Sequence, residues 1–131
     1  MSALPRAIQG VILFSTLFGI VFLFEVYPVL PTAAFELVTF GWVLFVVDSV
    51  LTFARPRVAF YLGLILAALA LAATWTQPAH YQLIASGDVA ATATIVVGTI
   101  DEVLLIVLVA YFAVTQRGKD PWAWPSSKTQ A

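Results

Sequence analysis

Residues 89–114 read VAATATIVVGTIDEVLLIVLVAYFAV, and Asp101 and Glu102 are the only charged residues in the stretch. A bilayer core needs about 20 mostly apolar residues per helix, so this segment is long enough to cross one. Its two acids govern how it can sit there. An acid at a helix centre costs roughly 2.5–3.5 kcal/mol on the insertion scale, so the adjacent pair costs about 5–7 kcal/mol. Fourteen Val, Ile, Leu and Phe residues share the span. At roughly 0.3–0.6 kcal/mol each they contribute about 4–8 kcal/mol. The span is near break-even on its own and needs neighbouring helices, water or protonation to be stable.

Three more segments reach spanning length, over 7–27, 33–54 and 58–76. The breaks between them have local causes. Pro28 and Pro31 end the first span, and Arg55-Pro56-Arg57 separates the second from the third. Gln77-Pro78 stops the third, and Ser86-Gly87-Asp88 reads as a turn and cap before the fourth. The first span is a full helix long, and Glu25-Val26-Tyr27-Pro28 is a poor approach to a cleavage site, so it reads as a retained helix and not a signal peptide. The expected fold is an all-α integral membrane protein: one four-helix antiparallel transmembrane bundle over 1–131, with 115–131 as an interfacial tail.

Composition agrees. Of 131 residues, 62% are hydrophobic and 10% charged, and mean hydropathy is +1.00. A soluble domain carries about 25% charged residues, so this chain has too little polar surface to coat a soluble globule. Disorder and nucleic-acid binding are disfavoured on the same ground. Cysteine is absent and His80 is the single histidine. Thiolate metal sites, iron–sulfur clusters and a bis-histidine haem therefore cannot be built from this chain alone. No cofactor and no metal is expected.

The basic residues set the expected orientation. Arg6, Arg55, Arg57, Arg117, Lys119 and Lys128 fall on the N-terminal tail, the second connection and the C-terminal tail. The first and third connections carry none. The positive-inside rule then puts both termini in the cytoplasm, in a multi-pass protein of the cell membrane. Trp75 at the outer end of the third span, and Trp122 and Trp124 beyond the fourth, read as interface anchors together with Arg55, Arg57, Arg117 and Lys119. Small residues mark close packing: Ala59, Gly63 and Ala67, then Ala68 and Ala72, in the third span, and Ser15 with Gly19 in the first.

Four acids need no special account. Asp120 lies in the tail, and Glu25, Glu36 and Asp88 fall at outer helix ends. Asp48, Asp101 and Glu102 lie within spans and are the candidate site residues. At ~1.5 Å per residue, Asp48 is roughly 22 Å from the outer start of its span and the Asp101–Glu102 pair roughly 18–20 Å from theirs. A shared depth is expected. These acids are neutral and hydrogen-bonded to a nearby threonine such as Thr52, Thr94 or Thr99, or they line a wet cavity or bind a cation, or they pair with another subunit. Adjacent residues point about 100° apart on a helix, so Asp101 faces the bundle and Glu102 a second partner, or the reverse. His80 reads as an ordinary loop histidine.

No catalytic motif is present. Ser15, Ser49 and Ser86 lack a histidine partner, and there is no phosphate loop or zinc-protease motif. Three functions fit the residues. The first is a non-catalytic accessory or structural subunit of a larger membrane assembly, with other membrane subunits or further copies of itself as partners. The second is a proton- or cation-coupled transporter or channel using the intramembrane carboxylates. The third is binding of a lipid or apolar ligand in a cavity lined by aromatics such as Phe22, Phe24, Phe40 and Phe45.

Overall fold

A computed structural model describes residues 3–28 and 30–115. These form five helices and no strand: α1 (Ala3–Val26), α2 (Thr32–Ala54), α3 (Pro56–Thr76), α4 (Pro78–Ala85) and α5 (Val89–Thr115). Four of them, α1, α2, α3 and α5, are long and apolar enough to cross a membrane. They match the four expected spans to within a few residues. Arg117, Lys119, Trp122 and Trp124, expected to anchor the tail, lie outside the described residues.

The helix ends follow from local chemistry. Proline at a first helical position loses no needed hydrogen bond, and Pro56 and Pro78 start α3 and α4 in this way. Proline also disfavours the helical region for the residue before it. Arg55 accordingly sits at φ −140°, ψ 72° and alone joins α2 to α3. Gly87 adopts φ +80°, where a Cβ would be strained. The Asp88 carboxylate then accepts from the Ala91 amide at 3.0 Å, capping α5. Asp88→Ala is expected to cost about 1 kcal/mol, read as a lower thermal midpoint in mild detergent.

The third connection departs from expectation. Residues 78–85 form helix α4 and are not a loop. Pro78 stops α3 and also begins the next helix, where the Gln77 side chain accepts from the Ala79 amide.

Side-chain contacts fix the register. Gln9 meets Thr52, Thr16 meets Ser49, and Trp42 reaches Thr16, so α1 and α2 are antiparallel. Ser15 meets Asp101 and Phe18 lies beside Gly98, so α5 is antiparallel to α1. Phe60 stacks edge-on against Phe112 at 5.1 Å and Trp75 reaches Thr99, so α3 and α5 are antiparallel as well. The four long helices form a ring in the order α1, α2, α3, α5, with α1 and α3 also touching across the middle and α2 and α5 apart. Arg6, Arg55 and Arg57 thereby share one end, the basic end. The opposite, cap end carries α4, packed on α3 and α5.

Packing divides the bundle in two. In the basic half Ile8, Ile12, Phe60, Leu105 and Val109 have no exposed surface and form one cluster with Phe45, Leu66, Ala67 and Phe112. Ala59, Gly63 and Ala67 are all buried on α3, as their spacing predicts. Small residues let backbones approach where lipid gives no hydrophobic drive. Ala68 and Ala72, the second stripe, are exposed. The outside is apolar, with Leu17, Phe24, Leu37, Phe53, Leu69 and Ile100 all exposed. A surface of that kind is compatible with a multi-pass membrane protein.

Candidate functional site

The cap half of the bundle encloses a cavity of about 550 Å³. Phe18 and Phe22 of α1 and Phe40, Trp42 and Phe45 of α2 contribute aromatic surface. Three of the four phenylalanines expected to line such a space do so. Phe24 does not: it faces outward and is exposed.

Trp42 is fixed from both sides. Its indole N–H donates to the Thr16 carbonyl at 2.8 Å. Its ring lies on Gly19, where a Cβ would come within 2.5 Å of the indole. Gly19 is therefore required by the close approach of this ring, beyond any general ease of helix packing.

The lining residues that are also exposed mark where the cavity opens. They are Leu37 and Phe40 of α2, and Leu69, Ala73 and Thr76 of α3. None comes from α1 or α5. The mouth therefore opens sideways between α2 and α3 in the cap half. These two helices are tied together at the basic end by the one-residue joint at Arg55, which places no tie at their far ends.

The floor holds Ser15, Asp101 and Glu102. The Ser15 hydroxyl bonds an Asp101 carboxylate oxygen and also lies 2.9 Å from the Val11 carbonyl of its own helix, so the buried Asp101 has a partner in its own chain. The threonines expected to hold the acids are engaged elsewhere. Thr52 donates to the Ser49 carbonyl at 2.6 Å, Thr94 to the Ala90 carbonyl at 2.9 Å and Thr99 to the Ile95 carbonyl at 2.8 Å. A hydroxyl on a helix has its own backbone carbonyl within reach and needs no second helix for it. Glu102 is half-buried and edges the same cavity as Asp101. The two adjacent acids thus border one space, although their side chains leave the helix in different directions.

Asp48 stands apart. It has no exposed surface, and neither carboxylate oxygen has a hydrogen-bond partner. A Cβ on Gly63 would lie 2.8 Å from Asp48 Oδ2 and 3.2 Å from Ile12 Cδ1. Asp48 does not line the cavity. Around it, Gln9 donates to Thr52 at 3.2 Å, and Thr16 and Ser49 share a hydrogen bond of 2.6 Å. These bonds tie α1 to α2.

His80, on α4, closes the cap end. It is 2% exposed, lines the cavity and packs its ring against Phe22 at 5.7 Å. This residue and Ser15 have more specific places than the sequence suggested. Trp75 donates to Thr99 at 3.1 Å and accepts at its carbonyl from the Tyr81 hydroxyl at 2.6 Å. It pins α3 to α5 and α4 near the cap surface. Arg57 lies over the Tyr61 ring at 5.7 Å. Among the described residues no group of three or more His, Asp or Glu side chains gathers that could hold a metal ion. No protein family matches the chain, and no curated protein or solved structure is similar to it.

Proposed function

We propose that this chain is a non-catalytic receptor within the bilayer for an apolar ligand of lipid type, which enters sideways between α2 and α3. The cavity of about 550 Å³ carries the reading, since ligand sites are typically ~300–1,000 Å³ with mainly apolar walls and a few polar groups. The chain sits with its basic end and both termini on the cytoplasmic side, by the positive-inside rule. The cavity then belongs to the half of the bundle facing away from the cytoplasm, and its mouth meets acyl chains instead of water.

The packing favours a receptor over a channel. Ile8, Ile12, Phe60, Leu105 and Val109 have no exposed surface, and their cluster leaves the cavity closed toward the basic end. A role as an accessory subunit rests on the absence of redox ligands, the short loops, the small-residue stripes and acids without partners, and the last of these is the support that weakens. Asp101 has Ser15, and Asp48 has no surface to offer a neighbour, so those two acids give another subunit little to bind.

The test is extraction of the protein, purified in mild detergent, with organic solvent and mass analysis of what it carried. A small apolar molecule at a fixed ratio to protein is expected. Ala70, half-buried on α3, lines the cavity, and Ala70→Phe is expected to reduce the bound molecule roughly tenfold, the factor given by about 1.4 kcal/mol of lost contact. Equal, unspecific lipid in both proteins sinks the reading. A stoichiometric protein partner in place of a lipid favours the accessory subunit.

A further inference from the structure

His80 carries a polar atom with nothing to bond. Its Nδ1 lies 2.8 Å from the Thr74 carbonyl, and a carbonyl only accepts, so Nδ1 bears the proton. In the neutral ring the other nitrogen, Nε2, is then a lone-pair acceptor. That atom is buried and has no hydrogen-bond partner. Buried polar atoms are paired in the great majority of cases, and an unpaired one asks for a ligand or a water. His80 lines the cavity; Nε2 itself has almost no accessible surface, so a small turn of the ring is what would present it to a ligand.

The surroundings say what kind of group belongs there. Phe22 packs against the ring, and the cavity walls beyond it are mainly apolar. Gln77 also lines the cap end of the cavity and uses its side-chain oxygen on the Ala79 amide. Its amide nitrogen is a donor. One acceptor and one donor at the cap end of an apolar space match a hydroxyl, which gives one proton and takes another. Phe22 follows Ser15 by seven residues, or about 10 Å of helix rise. The His80 end is therefore a separate polar station from the Asp101 and Glu102 floor. It lies at the cap end of the bundle, on α4.

We propose that the ligand is a hydroxylated lipid, an apolar alcohol or phenol that donates its hydroxyl proton to His80 Nε2 and extends its hydrocarbon body toward the mouth between α2 and α3. The proposal rests on the receptor reading above and adds the chemical class of the ligand.

The experiment compares each donor with its methyl ether, which keeps the shape and the oxygen but has no proton to give. The probes are dodecanol and its methyl ether, and para-nonylphenol and its methyl ether, titrated into the purified protein in detergent. At least one hydroxyl probe is expected to bind about tenfold tighter than its ether, the effect of one hydrogen bond to a buried acceptor. A preference confined to the alcohols indicates a chain lipid, and one confined to the phenols a ring lipid. In His80→Phe the members of each pair are expected to come within a factor of about 2 of each other. His80 is the only histidine, so isotope-labelled histidine gives a single ring signal in the unaltered protein. Its Nε2 resonance is expected to move with the alcohol or phenol and not with the ether, a readout that needs no variant. If alcohol and ether bind equally and the resonance does not distinguish them, the hydroxyl proposal fails and the receptor reading stands. If none of the four probes binds, the receptor reading fails with it.

Discussion

Gly63→Ala is expected to destabilise the bundle by about 1–3 kcal/mol, the usual cost of overpacking a filled core, and Asp48→Ala is expected to cancel that loss. The new methyl would sit 2.8 Å from Asp48 Oδ2 and 3.2 Å from Ile12 Cδ1. Neither neighbour has room to retreat, since both are fully buried. Asp48→Ala alone acts in the other direction. Neither carboxylate oxygen has a hydrogen-bond partner, and burying a polar group unpaired costs about 1–3 kcal/mol. Removing it recovers that cost, less a small void. The Gly63→Ala methyl then fills the void, so the double variant is expected to be at least as stable as the parent.

The measurement is a double-mutant cycle on thermal unfolding in mild detergent, with the coupling between the two sites as the readout. Additive effects would mean that Asp48 and Gly63 do not share a wall. A loss of stability in Asp48→Ala alone would mean that the carboxyl is satisfied after all, by water or a cation. A gain would identify an acid that stands in the core against the stability of the fold, as groups held for function often do.

The four spans, their breaks and the common end of Arg6, Arg55 and Arg57 were legible because each depends on local composition: twenty apolar residues, a proline, a charge. The inward stripe of Ala59, Gly63 and Ala67 was legible for the same reason, as a four-residue repeat on one helix. Helix α4 was not, because Pro78 looks the same in sequence whether it ends one helix or begins another. The Gln77 cap was the available signal. Ser15 as the partner of Asp101 needed the register between α1 and α5. Ser15 lies twelve residues from Ala3, and Asp101 fourteen from Thr115. Matching those depths across antiparallel helices could have found the pair. The cavity itself was out of reach. A void is what remains after side chains from four helices have met, and no single helix records it.

The two halves of the bundle should respond differently to the same substitution. Phe60→Ala is expected to cost about 2–3 kcal/mol and Phe22→Ala less than about 1 kcal/mol, although both remove one phenyl ring. In a bilayer the unfolded helices already lie in apolar surroundings, so the transfer part of the usual loss largely disappears and the packing part remains. At roughly 24 cal/mol per Å³, an unfilled space of about 100 Å³ gives the larger figure. Phe60 meets that condition, having no exposed surface and Phe112 set edge-on against its ring. Phe22 already borders open space and is half-buried, so its removal enlarges a void and creates little new one. The order should reverse for ligand. Phe22→Ala strips one wall beside His80 and is expected to lower retention of the bound molecule about tenfold, whereas Phe60→Ala leaves the cavity lining intact. Thermal midpoint and extracted ligand, measured on the same two preparations, separate the effects. Equal loss of stability in both variants would mean that the cap half is packed as tightly as the basic half, and the receptor reading would lose the space it depends on.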